Sequence, residues 1–438
     1  MSASVREATP GPGESSGSAL RPGAPAPLRR RGPRPVILHL ILAWLRHSAC
    51  SSAFSIVSMP SSAGSRSWRS ATAAARAARV VEAIGAEGLE PAALPAAVFA
   101  ELLRQDAALI AGIAAYRRHP YARALADPPV VWAEGGSRLL DYGATAPDRA
   151  AGPVLLVVPS LINRAYVLDL MEEASFLRWL AARGMRPLLL DWGWPGEAER
   201  RFGLTDVIAG RLERALVAAA AIAGERVVMV GYCMGGLLAL ASALRRPELV
   251  RAFAALATPW DFHAGDPARA RVAASLLPLF EPLMAFHDAL PVDALQVLFT
   301  ALDPYGVAAK YRAFGRLAQD SARARLFVAL EDWLADGVPL AAPIARECLG
   351  GWYGRNEPAR LAWNVAGLPV DPRALAVPAF VAVPGRDRIV LPEGARPLAR
   401  LIPKAVLHEP CSGHIGMVAG SGAEAALWRP FASWMSGL

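Results

Sequence analysis

Continuous apolar segments of strand length alternate with amphipathic segments of helix length through the middle of this 438-residue chain. Four apolar runs lie at 153–159, 186–191, 226–230 and 252–257, after a hairpin pattern at 130–142. A strand that is apolar throughout must be covered on both faces, which is the environment of a parallel sheet between helices. The sequence therefore predicts an α/β fold, a mostly parallel sheet with helices on both faces.

The strand pattern stops in residues 262–370, which are rich in helix formers, aromatic residues and prolines. It returns at 376–383 and 405–409. We predict a helical cap insertion between the sixth and seventh strands, which divides the α/β core into residues 126–261 and 371–438. An insertion above the carboxyl ends of parallel strands would cover the site formed there.

Positive charge is concentrated near the N-terminus. Residues 1–80 hold eleven arginines and two acidic residues, whereas the whole chain has a net charge of +8, so the remainder is nearly neutral and does not indicate nucleic-acid binding. We predict a disordered basic leader in 1–70 and N-terminal helices in 71–125. The apolar stretch Val36–Leu45 has the length of a signal-peptide core, but Arg46 follows at once and no small-residue cleavage site is evident.

Cysteine and lysine usage excludes several classes of protein. The four cysteines are far apart and form no Cys-x-x-Cys pair, which argues against a zinc site or a disulfide scaffold and favours a reducing, cytoplasmic compartment. Lys310 and Lys404 are the two lysines, and neither lies in a phosphate-binding P-loop. No run of about 18 apolar residues predicts a transmembrane segment. We predict no metal.

The motif with the most chemical information lies in Val227–Leu237, where Gly231, Cys233 and Gly235 follow an apolar strand and precede a helix. This is the pattern of a nucleophile elbow, a sharp turn whose flanking positions require glycine. The elbow places the nucleophile at a helix N-terminus, where the partial positive charge favours a thiolate. The alternative is a buried cysteine at an ordinary strand–helix turn, which the additional Gly236 disfavours.

An elbow nucleophile needs a base and an acid, in the chain order nucleophile, acid, histidine. His414 lies in a loop of small residues after the last strand, where this architecture presents its base, and Asp387 lies in a turn after the preceding strand. The alternative for Asp387 is an exposed carboxylate paired with a neighbouring arginine. The remaining histidines after the nucleophile are placed in the cap or in a strand: His263, His287 and His408. Cys411 is interpreted as a structural neighbour of the base.

The oxyanion formed during acyl transfer needs two backbone N–H donors. One is expected from Met234, the residue after the nucleophile. The other is expected from the loop after the first long strand, at Ile162. The alternative is that this loop is only a strand–helix connection in which Asn163 caps the helix.

A thiol nucleophile itself indicates a reaction class. A cysteine acyl-enzyme is a thioester, so transfer from a coenzyme A thioester onto Cys233 is close to isoenergetic and the acyl group stays activated for passage to an alcohol. The motif therefore favours thioester acyl transfer at least as much as hydrolysis.

Over residues 115–438 the sequence resembles the polyhydroxyalkanoate synthases, especially the shorter type that works with a partner subunit. The matching segments, in the family's order, are Val158–Leu170, Leu190–Pro195, Gly231–Gly236, Ala257–Phe262, Gly385–Asp387 and Ser412–Gly416. The resemblance implies an α/β-hydrolase fold with Cys233 as acyl-accepting nucleophile, His414 as base and Asp387 as acid. The chain departs from the family at Ser160-Leu161 and at Gly196, near the expected acyl entrance.

Our first hypothesis from the sequence is an acyltransferase that moves a 3-hydroxyacyl group from coenzyme A through a cysteine thioester to a growing polyester. The coenzyme A thioester is a substrate, and no cofactor is predicted. A partner synthase subunit or a homodimer and a location at the polyester-granule surface are further expectations. The second hypothesis is a cysteine-type hydrolase, either a thioesterase or a polyester depolymerase. A third is a catalytically silent granule scaffold, which retention of all three candidate residues disfavours.

Overall fold

A computed structural model describes residues 30–57, 71–86, 88, 94–146 and 152–438. Its central sheet has eight strands: β1 Val130–Glu134, β2 Ser137–Asp141, β3 Val154–Val158, β4 Arg186–Asp191, β5 Val227–Tyr232, β6 Val250–Leu256, β7 Ala379–Ala382 and β8 Ala405–His408. The spatial order is β1-β2-β4-β3-β5-β6-β7-β8. The first two strands pair in antiparallel fashion and all pairs from β4 to β8 are parallel. The predicted α/β fold class is confirmed.

The helices are α1 Val36–Val57, α2 Ala71–Ala86, α3 Leu94–Arg118, α4 Phe176–Ala181, α5 Glu213–Ala223, α6 Met234–Arg245, α7 Pro267–Ser275, α8 Leu277–His287, α9 Val292–Leu302, α10 Gly306–Phe314, α11 Ala322–Ala335, α12 Ala342–Arg346, α13 Pro392–Leu401, α14 Gly416–Ala419 and α15 Arg429–Met435. Every residue of β3 and β5 is buried, since α5, α6 and α13 cover one face of the sheet and α4, α14 and α15 cover the other. This two-sided burial explains why these strands are apolar throughout.

The segment between β6 and β7 forms a cap of six helices, α7 to α12, at the position predicted from the sequence. It is not wholly helical, because Ala289–Leu290 pairs with Leu340–Ala341 in a short antiparallel ladder. Many of its apolar side chains, including Phe280 and Trp352, belong to one buried cluster with the sheet. Part of the cap is therefore packed onto the core, while α10 and α11 also form a separate cluster that includes Tyr311 and Phe314.

The structure differs from the prediction of a disordered leader over 1–70. Helix α1 lies inside that range, and the side chain of Arg30 forms an ion pair of 2.7 Å with Asp332 of α11. Ala43 is buried in a cluster with α3, α10 and α11, which gives this helix a tertiary partner that composition does not reveal. Residues 1–29 and 58–70 lie outside the described part of the chain. No helix in the described ranges is long and apolar enough to cross a membrane.

A fully buried carboxylate connects the segment after β3 to its surroundings. Asp169 accepts hydrogen bonds from the Tyr142 hydroxyl at 3.0 Å and the Ser175 hydroxyl at 2.6 Å. It also forms ion pairs with Arg123 at 3.0 Å and Arg178 at 2.8 Å. A buried charge is tolerated when it is paired and hydrogen-bonded in this way. The network fixes the chain that leaves the β3 loop, which borders the site described below.

We predict that Asp169→Ala lowers the free energy of unfolding by about 3–5 kcal/mol, because two partly buried arginines would lose their common partner. The matched control is Asp127→Ala, since the Asp127 side chain is 72% exposed and lies 3.7 Å from Arg123. That change should cost less than about 1 kcal/mol. Urea unfolding followed by tryptophan fluorescence measures both values, and equal losses would contradict this account of the network.

Candidate active site

The turn between β5 and α6 has the backbone of a nucleophile elbow. Cys233 stands between the two elements with φ 56° and ψ −129°, a conformation that a residue with a side chain rarely adopts. Its N–H donates a hydrogen bond of 2.8 Å to the carbonyl of Leu256, at the end of the adjacent strand β6. The strained residue is therefore held by the sheet, and its side chain projects where the strands end.

Two glycines allow the turn to be this tight. A Cβ atom added at Gly231 would collide with the backbone of Gly236, and one added at Gly235 would collide with the Val158 carbonyl at the end of β3. Both clashes involve backbone atoms, which cannot move aside as a flexible side chain can. The Gly-x-Cys-x-Gly pattern thus reflects contacts within the turn and between α6 and the sheet.

The acid and the base predicted from the sequence lie together. Asp387 follows β7 and His414 follows β8, and the His414 Nδ1 atom lies 2.6 Å from the Asp387 Oδ2 atom. Both residues are buried, with exposed fractions of 3% and 7%. The other carboxylate oxygen of Asp387 accepts the N–H groups of Ile389 at 2.8 Å and Val390 at 2.9 Å. One oxygen therefore fixes the carboxylate to the turn while the other orients the imidazole.

Electrostatics favour a protonated His414. Burial opposes its charged form, but the charge of a Cys233 thiolate, the charge of Asp387 and hydrogen bonds to both groups outweigh that effect and raise the pKa of His414 to about 10. An imidazole between two negative groups is stabilised as an imidazolium. The Tyr232 ring lies 5.3 Å from the imidazole ring, and its hydroxyl donates a 3.4 Å hydrogen bond to the His414 carbonyl. Tyr232 therefore helps to position His414, and the Gly-x-Cys-x-Gly motif does not predict this because Tyr232 occupies one of its unspecified positions.

The competing candidates lie elsewhere. The Nε2 atom of His263 lies 2.8 Å from the Tyr353 carbonyl, and that of His408 lies 2.6 Å from the Ala426 carbonyl. His287 is exposed in the cap. Cys411 is an exposed free cysteine. Asp387 is not part of a surface ion pair with the next residue in the chain, because Arg388 pairs with Asp303 at 2.9 Å.

The two predicted oxyanion donors differ in availability. Met234 is the first residue of α6, so its N–H has no acceptor within the helix. The N–H of Ile162 instead donates a 3.1 Å hydrogen bond to the Ser160 hydroxyl. Ile162 remains a predicted donor that requires this hydroxyl to move away. Asn163 does not cap the following helical turn, because that turn begins after Arg164, which makes no side-chain cap.

A cavity of about 430 Å³ lies between the elbow and the cap. Cys233 and His414 line it from the core, and aromatic side chains line it from the cap: Phe262, Phe299, Trp333 and Tyr353. Cys348 and Tyr353, which line the cavity, belong to a π-helical segment, Glu347–Gly354, that continues α12. Burial, and then the charges of Cys233 and Cys348, raise the pKa of Tyr353 to about 12, so its phenol stays protonated at neutral pH. In the sequence, the only indication of this aromatic lining is the high aromatic content of the cap.

Within the residues that the structure describes, no group of three or more histidine, cysteine, aspartate or glutamate side chains could hold a metal ion. The chemistry that the geometry supports is nucleophilic attack by a thiolate, proton transfer through an imidazole and stabilisation of the resulting charge by backbone N–H groups.

A family profile described as alpha/beta hydrolase fold matches residues 153–420, more than half of the chain. The chain belongs to the alpha/beta hydrolase fold family. A second profile, described as the N-terminus of poly-beta-hydroxybutyrate polymerase (PhaC), matches residues 117–180. It covers the loop after β3 and the segment that Asp169 fixes. The resemblance to polyhydroxyalkanoate synthases inferred from the motifs is confirmed.

Curated relatives also show the resemblance to polyhydroxyalkanoate synthases. The chain is 27% identical over 311 residues to the poly(3-hydroxyalkanoate) polymerase subunit PhaC of Haloferax mediterranei, a match that covers 70% of this chain and 63% of the relative. It thus spans less than two thirds of that relative's length. The protein of the same name from Allochromatium vinosum is 27% identical over 308 residues, with 68% of this chain and 86% of the relative covered. Among solved structures, an enol-lactonase from Burkholderia xenovorans aligns with a TM-score of 0.40 at 17% identity, covering 70% of this chain and all of that one (100%).

We predict that His414 retains its ring proton until the pH rises to about 10. Replacing Asp387 with asparagine removes one of the charges that stabilise the imidazolium, so the pKa of His414 should fall. The measurement is a pH titration of the His414 ring signals by NMR with labelled histidine. The control is Asp371→Asn, because the Asp371 carboxylate lies away from the site and is hydrogen-bonded to Arg373. An unchanged titration in Asp387→Asn would contradict the assignment.

Proposed function

We propose that this protein is an acyltransferase of the polyhydroxyalkanoate synthase type. In this proposal Cys233 takes a 3-hydroxyacyl group from its coenzyme A thioester and passes it to the hydroxyl end of a growing polyester. The observation that carries the proposal is a cysteine in the strained elbow position, in the same cavity as an imidazole bonded to a buried carboxylate. The names of the relatives supply the substrate class.

In the first half-reaction the Cys233 thiolate attacks the carbonyl carbon of the acyl thioester. The electron pair of the carbonyl bond moves to oxygen, and the oxyanion accepts a hydrogen bond from the Met234 N–H. Collapse of this intermediate breaks the bond to the coenzyme A sulfur, which takes the proton of the His414 imidazolium. The products are a Cys233 thioester, a free thiol and a neutral imidazole.

In the second half-reaction the hydroxyl group of the polyester end attacks the Cys233 thioester. Neutral His414 accepts the hydroxyl proton, and Asp387 stabilises the imidazolium that forms. Collapse forms the new ester bond and releases the Cys233 thiolate beside the imidazolium. The pair of charges present at the start is thereby restored, and the polyester is one unit longer.

The cap decides which acceptor reaches the acyl-enzyme. Alcohol and water compete for the same thioester, and water is present in large excess in solution. The cavity wall is mostly apolar, with aromatic side chains such as Phe262 and Phe299 facing the region of Cys233. A wall of this kind disfavours water and accommodates an ester chain, so it favours transfer over hydrolysis.

The relatives are named as subunits, and we extend this to the chain by proposing that it works with a partner subunit or a second copy of itself. We further propose a cytoplasmic location at the surface of polyester granules, where the hydroxyl ends of the product would be found. No cofactor beyond the coenzyme A thioester substrate enters the proposed reaction.

We predict that Cys233→Ala lowers the rate of coenzyme A release from 3-hydroxybutyryl-coenzyme A by at least about a thousandfold, because the acyl acceptor is lost. Cys411→Ala is the matched control, since that cysteine is exposed and should be dispensable. A thiol reagent measures coenzyme A release, and circular dichroism checks folding. Equal loss in both variants would refute Cys233 as the nucleophile.

The second test identifies the acceptor. We predict that the full chain supplied with 3-hydroxybutyryl-coenzyme A forms insoluble polyester, which gas chromatography after methanolysis quantifies. Free 3-hydroxybutyrate released at the same rate as coenzyme A would instead show a hydrolase and overturn the proposal. Polyester formed by this chain alone would show that no partner subunit is needed.

A further inference from the structure

Part of the predicted leader reaches the active-site cavity. Gly32, Pro33, Arg34 and His39 line the same cavity as Cys233. Gly32, Pro33 and His39 are buried, so this stretch is packed against the body of the protein. It lies upstream of both matched family profiles, which begin at residues 117 and 153. The profiles therefore do not account for this side of the cavity.

Arg30 fixes the start of the stretch. Its guanidinium forms two hydrogen bonds of 2.7 Å with the Asp332 carboxylate, and the two side chains are only 12% and 19% exposed. The same guanidinium donates to the backbone carbonyls of His119 and Tyr121. The Tyr116 hydroxyl donates a third hydrogen bond, of 2.8 Å, to Asp332. A planar guanidinium that satisfies four acceptors holds the chain in one position.

Arg34 attaches the rest of the stretch to the cap, and His39 lines the cavity. Arg34 forms an ion pair of 2.5 Å with Asp293 at the start of α9 and donates a 3.0 Å hydrogen bond to the Ala335 carbonyl at the end of α11. His39 is 3% exposed, and burial lowers its pKa, so the neutral ring is favoured. The stretch thus spans two cap helices and presents an uncharged ring to the cavity.

We propose that residues Gly32–His39, held in place by Arg30, form a fixed wall of the acyl-binding cavity and limit the length of the 3-hydroxyacyl group that can reach Cys233. This inference rests on the proposed function and deepens it, since it assigns substrate selection to a segment outside the α/β-hydrolase core. A pocket discriminates between acyl chains by whether it can accommodate the additional methylene groups, each worth about tenfold or more in kcat/KM.

The test compares two adjacent arginines in the full chain. Arg30→Ala removes the fixed attachment, whereas the Arg31 side chain is exposed and forms no ion pair with the described residues. The readout is kcat/KM for 3-hydroxyoctanoyl-coenzyme A divided by that for 3-hydroxybutyryl-coenzyme A. We expect Arg30→Ala to raise this ratio by about tenfold and Arg31→Ala to leave it unchanged. Partial misfolding cannot produce this result, because both substrates meet the same active fraction.

His39→Ala is the second variant, because it removes a ring from the wall without touching the Arg30 network. It should raise the same ratio, and it decides the question if Arg30→Ala does not fold. A ratio that stays at the wild-type value in the folded variants overturns the wall while leaving the proposed function intact. Absence of coenzyme A release from either substrate in the wild type would instead refute the proposed function, and the wall with it.

Discussion

The site depends on one strained residue held at the edge of a sheet. Cys233 has a positive φ because β5 ends and α6 begins within a single residue, and its N–H is bonded to the neighbouring strand β6. Gly231 and Gly235 lack the side chains that would collide with the backbone on either side. The burial of β5 between two layers of helices stabilises this conformation. A side chain held in this way lies above the carboxyl ends of the strands, in the same cavity as His414.

The remaining parts of the site converge on that position from distant segments. Asp387 and His414 follow β7 and β8, so the parallel order of the strands brings two consecutive loops to the same edge as the elbow. The cap closes the cavity from above, and the stretch that begins at Arg30 closes one side of it. The α/β core positions Cys233, Asp387 and His414. The cap and the stretch that begins at Arg30 contribute most of the remaining cavity lining, and so they affect its size and polarity.

The sequence predicted the features that depend on neighbouring residues, and it did not predict those that depend on contacts between distant segments. The strands and the elbow depend on local patterns of apolar residues and glycines, and these are visible in the sequence. The hydrogen bond between Ser160 and the Ile162 N–H depends on one loop conformation, which residue types do not specify. The packing of α1 could not be foreseen, because the arginine-rich composition around it is typical of disorder and its partners in α3, α10 and α11 are remote in sequence.

Residue patterns along the chain were enough to predict the α/β class, the place of the cap and Cys233, Asp387 and His414 as candidate site residues, because each depends on the spacing of residues within a short stretch. Which atoms come into contact depends on the folded chain. The 2.6 Å contact between His414 and Asp387 exists because folding brings two distant loops together, and the pKa of His414 is raised because Cys233 and Asp387 lie beside it. Neither property is encoded locally. The attachment of Arg30 to Asp332 likewise joins residues far apart in the chain, and folding alone brings that carboxylate to the arginine.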